Sequence, residues 1–191
     1  MAQIVATIHE LRHAQRVEVL CADASHWPNE PYVQRGWFRK GKKGKVPGPA
    51  KRQRTTLFGA LHLSTQKMYW KRAPRGTSKL FIAFLHQLHQ RFADALILLI
   101  LDHAKIHKSR LVKRFVKQHD WIALEHLEPY SPEYNPLERF WKWLKVKVYG
   151  ATAFATIEDV ISTIRHLIWH YNEGWLISTI HFVFEPYQEI L

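Results

Sequence analysis

Acid is scarce in this chain. Its 191 residues hold 16 Asp and Glu against 28 Lys and Arg, a formal charge of +12, and an excess of that size draws a protein toward polyanions. Cysteine is nearly absent too. Cys21 alone excludes an internal disulfide and a multi-thiolate zinc site, and its place in an alternating stretch suits a reduced strand residue. The longest uninterrupted apolar run, Ala95 to Leu101, is far too short to cross a bilayer, and the N-terminus lacks the basic-then-apolar pattern of a secretory signal. The expectation is a cytoplasmic protein with no membrane partner. What is present is a folding composition: 47% hydrophobic and 23% charged residues exclude wholesale disorder. The length suits one domain with a substantial core. With eight Trp beside the charge, nucleic acid is a better match than a lipid surface.

Positive charge is densest from Arg35 to Arg54. Nine basic residues (Arg35, Arg39, Lys40, Lys42, Lys43, Lys45, Lys51, Arg52 and Arg54) stand there with no acid, interleaved with Gly and Pro. The breakers exclude a helix or a central strand. Uncompensated charge of this density repels itself unless a polyanion is at hand, so the loop reads as a phosphate-contacting element rather than a solvated insertion.

The scarce acids fall at telling places. Arg16 to Asp23 alternates like a strand that ends at Asp23, before the breaker-rich and aromatic stretch 24–31. Thr55 to Leu63 and Gln66 to Lys71 read as a hairpin, and Ser78 to Ala93 as a helix with Leu80, Phe81, Phe84, Leu85, Leu88 and Phe92 on its inner face. His86 and His89 of that helix are read as solvent-side. Leu96 to Leu101 is a strand covered on both faces, stopping at Asp102. A basic helix to Gln118 and a strand from Trp121 to Leu127 complete a parallel crossover. Asp102 therefore emerges at the same kind of position as Asp23, the carboxyl end of a strand, where open α/β sheets expose functional groups.

The third acid sits in Leu127 to Lys145, LEPYSPEYNPLERFWKWLK. Pro129 and Pro132 hold the approach extended, Asn135 is placed as an N-cap, and Pro136 opens a helix whose stripe is Leu137, Phe140, Trp141, Leu144 and Val148. Glu138, Lys142 and Lys145 share its flank, a carboxylate beside two ammonium groups suited to a phosphodiester. Asn135 and Glu138 also have the spacing of a capping box, which is the competing structural account of the Glu. Thr156 to Tyr171 closes the chain's helices, with Thr156 and Asp159 spaced as a cap. A mixed sheet with helices on both faces, an α/β fold, packs these elements. Three carboxylates converging at one end of it would repel unless divalent cations neutralised them. Hard oxygen ligands suit Mg²⁺ or Mn²⁺, and two ions clamp both oxygens of an in-line phosphoryl displacement.

Two histidine patterns compete with that reading. His9, Glu10 and His13 in the N-terminal helix form H-E-x-x-H, the spacing of a zinc peptidase, though no third ligand follows at a recognisable distance. His103 and His107 have i, i+4 spacing in a stretch that is not helical, and suit a place near an attacked phosphate or a packing role.

The strand ending in Asp102, the following D-x-A-x-x-H-K-S of Asp102 to Ser109, and P-Y-S-P-x-x-N-P-x-E-x-x-W-x-x-L-K at Pro129 to Lys145 together resemble the DDE transposases of bacterial insertion sequences related to mariner. The resemblance runs from about Val17 to Asn172, with 35 residues between Asp102 and Glu138. It implies a ribonuclease-H-like fold over residues 16–175, after a short helix at 1–15 and before a tail at 176–191. It implies Asp23, Asp102 and Glu138 as a catalytic, Mg²⁺- or Mn²⁺-binding triad, with Asn135 and Pro136 as its support. Arg39, Lys40, Lys42, Lys43, Lys45, Lys51, Arg52, Arg54, Lys142 and Lys145 would contact DNA, and the Gly36 and Trp37 region with its loop would clamp DNA or a partner. The activity implied is nicking at transposon ends and attack of the released 3′-OH on target DNA, by a homodimer on DNA in a nucleoid-associated protein. Ala24 stands where relatives commonly carry Glu, and His103 where they carry Asn. Such transposases usually begin with helix-turn-helix domains, whereas Met1 lies only a short helix ahead of the core. Either a separate or frameshifted helix-turn-helix partner supplies recognition, or the chain is an inert DNA-binding remnant.

Overall fold

The computed structural model describes residues 2–14, 16–30, 48–128, 134–150 and 154–175. The elements run α1 (Ala2–Ala14), β1 (Val17–Pro28), β2 (Arg54–His62), β3 (Met68–Ala73), α2 (Ser78–Arg91), β4 (Leu96–Leu101), α3 (Arg110–Lys117), β5 (Ile122–His126), α4 (Pro136–Tyr149) and α5 (Ile157–Asn172). The five strands form one sheet in the order β3-β2-β1-β4-β5. β1, β2 and β3 pair antiparallel, while β1–β4 and β4–β5 are parallel.

Side chains alternate across a pleated strand, so a strand covered on both sides must be apolar at every position. β4 is, and all of Leu96 to Leu101 is buried. Leu96, Leu98 and Ile100 join a core with Val17, Val19 and Cys21 of β1 and the inner faces of α1, α4 and α5. Ile97, Leu99 and Leu101 join the opposite core with Leu20 and Ala22, beneath α2 and α3. The result is three layers, helix, sheet and helix. On α5, Thr156 accepts from the Asp159 backbone N–H while the Asp159 side chain accepts from the Thr156 N–H, the reciprocal cap expected from the spacing.

The strand expected over Arg16–Asp23 does not stop at its acid. β1 runs on to Pro28 because β2 accompanies it antiparallel as far as the Pro28–Arg54 pair. The parallel partner β4 gives out earlier, at Ala22–Leu101. Hydrogen bonds to β2 carry the chain through the aromatic stretch whose composition reads as a break. Asp23 is therefore the first residue of an overrun, paired on one side only.

Candidate active site

Asp23 and Asp102 each come one residue after the last β1–β4 pair, Ala22–Leu101. In the alternation along β1, Asp23 follows Val17, Val19 and Cys21 onto the sheet face covered by α4 and α5. Glu138 arrives from α4 itself. The Asn135 side chain accepts from the Leu137 N–H at 3.1 Å, the second helical residue rather than the third, so the cap is made without the reciprocal box that the spacing suggests. The helix axis is set by Leu137, Phe140, Trp141, Leu144 and Val148, all buried.

How closely α4 approaches the sheet depends on Gly59. It is the β2 partner of Asp23, and a Cβ built there would lie 2.5 Å from Cζ2 of Trp141 and 2.4 Å from Cε of Met68. Only the absence of a side chain lets the indole lie against the strand at that level. Trp141 is one turn beyond Glu138, so this contact holds the first turn of α4 beside Asp23. A groove of about 350 Å³ follows, lined by Asp23, Ser25, His26, Glu138, Trp141, Lys142 and Lys145.

The electrostatics of the groove are unfavourable for a carboxylate. Burial pushes the Asp23 carboxyl up to about 6, and the negative charges of Asp102 and Glu138 add to the rise, against a 2.6 Å hydrogen bond from the Ala24 N–H and the charge of His107. Asp102 does not line the groove, but it is near enough for Asp23 to feel its charge. Burial also acts to raise Asp102, yet it is outweighed by the bond from His107 Nδ1 at 2.9 Å, the Ala104 N–H at 3.1 Å and the charges of His107 and His103, which together hold it below the usual carboxylate range. Both hydrogen bonds fall on Oδ1 and neither occupies Oδ2. His107 is 1% exposed, its ring 4.6 Å from that of Phe81, and its Nε2 has no partner among the described residues. To donate to Asp102 it must carry its proton on Nδ1. Lys145 is driven down by burial and pulled back by Asp23, with its Nζ 5.7 Å from the ring centroid of buried Trp27.

Histidines also tie down the strand end behind Asp102. His126 Nδ1 bonds the Asp102 carbonyl at 3.0 Å, His103 Nε2 bonds the Leu127 carbonyl at 2.5 Å, and the two rings stack at 5.5 Å. Lys108 Nζ contacts His103 Nδ1. The i, i+4 pair therefore divides its work: His107 orients Asp102, and His103 joins the ends of β4 and β5.

The donor chemistry fits Mg²⁺ or Mn²⁺: hard carboxylate oxygens only, with mutual repulsion that a cation would relieve. No closed cage is present. Among the described residues no three His, Cys, Asp or Glu side chains are close enough to hold an ion. His9, Glu10 and His13 are exposed along α1, with no third ligand beside them among the described residues. Of the basic residues singled out in the sequence, Lys142 and Lys145 line the groove, Lys51 and Arg54 are exposed, and Arg52 pairs with Glu30 at 3.0 Å. Arg39, Lys40, Lys42, Lys43 and Lys45, with Gly36 and Trp37, lie outside the described residues, as does the tail from 176. His86 is exposed as expected, but His89 is not a solvent histidine: its ring stacks on Trp121 at 4.1 Å and its Nδ1 is buried. Gly59, His26 and Trp27 carry no mark in the sequence. Gly59 sits within an ordinary strand pattern, and only its register opposite Asp23 singles it out.

Against known proteins, residues 18–161 match the DDE superfamily endonuclease family. The chain belongs to that family. It is 28% identical over 139 residues to a 39 kDa protein of insertion element IS630 from Shigella sonnei, across 72% of this chain and 40% of that protein. The chain thus spans well under half the length of this relative. Among solved structures it is similar to the mariner Mos1 paired end complex with Mg (TM-score 0.62, 13% identity, 87% of this chain and 52% of that one). It is also similar to the HTLV-2 integrase catalytic core domain in complex with magnesium (TM-score 0.52, 12% identity, 82% and 85%). At these identities the likeness is one of fold: the sheet and helices of this DDE-family domain are those of the ribonuclease-H-like catalytic cores of transposases and integrases. No helix among the described residues is long and apolar enough to cross a membrane.

Proposed function

We propose that this DDE-family domain nicks DNA and joins the resulting end to a target, using Asp23, Asp102 and Glu138. The observation that carries the reading is Asp23 itself, a largely buried carboxyl raised further by the charges of Asp102 and Glu138 and facing, with Glu138, a groove that also holds Lys142 and Lys145. A fold rarely keeps such repulsion without use for it. Mg²⁺ or Mn²⁺, two ions in our reading, would be held by the three carboxylates, and when bound supply positive charge at the phosphodiester and lower the pKa of the attacking water or hydroxyl. The chain's own groups do the rest. His107 and the Ala104 N–H take Oδ1 of Asp102 and leave Oδ2 for ligation, while Lys142 and Lys145 draw the phosphate toward Asp23. In the first step water attacks phosphorus and the bond to O3′ breaks, leaving a 3′-OH and a 5′-phosphate. In the second that 3′-OH attacks a target phosphodiester, whose own O3′ departs. A homodimer on DNA, and a separate helix-turn-helix segment reading the element's ends, belong to the same proposal.

The test is nicking of supercoiled plasmid with Mg²⁺ or Mn²⁺. Asp102→Asn and Glu138→Gln should each abolish it and leave salt-sensitive DNA binding nearly intact; nicking retained by either variant excludes the triad. A second reading, a DNA-binding remnant without catalysis, draws on the present separation of the three acids. It predicts no nicking by the wild-type chain at any Mn²⁺ concentration.

A further inference from the structure

A second recess opens on the far side of the β1 overrun. It holds about 620 Å³ and is lined by His26, Arg54, Thr56, Pro74, Arg75 and Gly76 among others, with no carboxylate among the described residues of its wall. Three other arginines of the described chain have acidic partners: Arg16 with Glu18, Arg52 with Glu30 and Arg72 with Glu158. Arg54 and Arg75 are exposed and make no ion pair with any described residue. Two exposed guanidinium groups line one trough, and the guanidinium fork matches phosphate oxygens.

Position suggests which anion. His26 lines both this trough and the groove of Asp23 and Glu138, and its Nδ1 is held 3.1 Å from Thr56 Oγ1 across the β1–β2 pair. It lies three residues beyond Asp23 in β1, about 10 Å along the strand, within reach of a neighbouring phosphate of a DNA backbone held at Asp23. Gly76 leaves the floor between them open: a Cβ there would meet the Thr56 methyl at 3.6 Å and the His26 ring at 3.8 Å.

We propose that Arg54, Arg75 and His26 form a second phosphodiester subsite, holding the DNA backbone beside the phosphate bound at Asp23 and Glu138. The subsite rests on the proposed DNA substrate but not on the chemistry, so it is measured in EDTA. The full chain is titrated with a fluorescein-labelled mixed-sequence duplex, followed by anisotropy over a range of salt concentrations. Arg54→Gln/Arg75→Gln should lose about tenfold in affinity near 0.1 M salt, and its log–log salt slope should shrink by about 0.9, for the one phosphate no longer neutralised. Lys113→Gln/Lys117→Gln removes the same charge from the outer face of α3 and should change neither. Gly76→Leu fills the trough without altering charge, and with its thermal transition intact should weaken binding at least fivefold. An unchanged slope in the arginine variant, equal losses in the lysine control, or wild-type binding by a folded Gly76→Leu protein each overturn the subsite. Loss of plasmid nicking has no bearing on it, whereas absence of DNA binding by the wild-type chain removes the substrate reading beneath it as well.

Discussion

Replacing Asp23 by Asn should stabilise the protein in the absence of metal. The folded chain raises this carboxyl from an ordinary 3.8 to about 6, chiefly by burial and then by the charges of Asp102 and Glu138. A raised carboxyl binds its proton more tightly in the folded than in the unfolded chain, so its contribution to stability is fully present below pH 3.8 and is lost as pH climbs through 6. A rise of that size is worth about 3 kcal/mol at neutral pH, and about 2 kcal/mol once screening over the partly exposed carboxyl is allowed for. Asparagine has the same shape and keeps an oxygen for the Ala24 N–H, now 2.6 Å from Asp23 Oδ1, so it sheds the charge penalty alone. For a chain of this length the gain corresponds to about 4–8 °C in Tm. The assay is a thermal melt of both proteins in EDTA from pH 4 to pH 8. The variant should melt higher at pH 7.5, with the difference shrinking toward zero at pH 4. Mn²⁺ should then raise the wild-type Tm and leave that of the variant nearly still. A variant that melts lower at pH 7.5, or a difference that ignores pH, refutes the repulsion from which the site is inferred.

Three further substitutions probe the surroundings. Gly59→Ala forces a methyl into space held by Trp141 and Met68, so it should cost about 1–3 kcal/mol of stability by chemical denaturation and, by lifting α4, depress nicking further than that loss accounts for. His107→Phe keeps an aromatic ring beside Phe81 but withdraws the hydrogen bond to Asp102; Mn²⁺ affinity by calorimetry should fall roughly 10–100-fold, the usual effect of losing a residue that orients a ligand. Charge reversal of Lys42, Lys43 and Lys45 should weaken DNA binding and flatten its salt slope by about 0.9 for each phosphate no longer neutralised, and an unchanged slope would make the basic run incidental.

Much of the architecture is legible in the sequence because its signals are local. The all-apolar run of β4 can only be a strand covered twice, and the Asn135-Pro136 start and the Thr156/Asp159 pair mark helix ends by chemistry that acts within four residues. The end of β1 is hidden for a complementary reason: what carries the strand past Asp23 is pairing with residues 54–59, some thirty positions away, and no pattern inside 17–28 announces it. Gly59, His26 and Arg75 are invisible for the same cause, since each matters through its register or through a loop folded back beside it. His107 stands out in the sequence but cannot be given its partner there, because i, i+5 across an irregular turn has no fixed geometry. The three acids are legible as residue types at strand and helix ends, while the repulsion between them is a property of the folded chain alone.

The overrun of β1 is what makes room for function. From Leu20 to Ala22 the strand is walled by β2 and β4 and carries only core; from Asp23 to Pro28 it keeps β2 and loses β4. One side of the strand is opened while its backbone remains fixed by the other. Asp23 stands at the root of that opening, where burial is still enough to raise its carboxyl, and His26 stands farther out, where both recesses meet. A strand ending at Asp23 would have left the acid on a flexible loop, with less burial and less repulsion. A β4 longer by five residues would have sealed the edge. The unequal length of two neighbouring strands therefore accounts at once for a destabilised carboxylate and for an open path leading away from it.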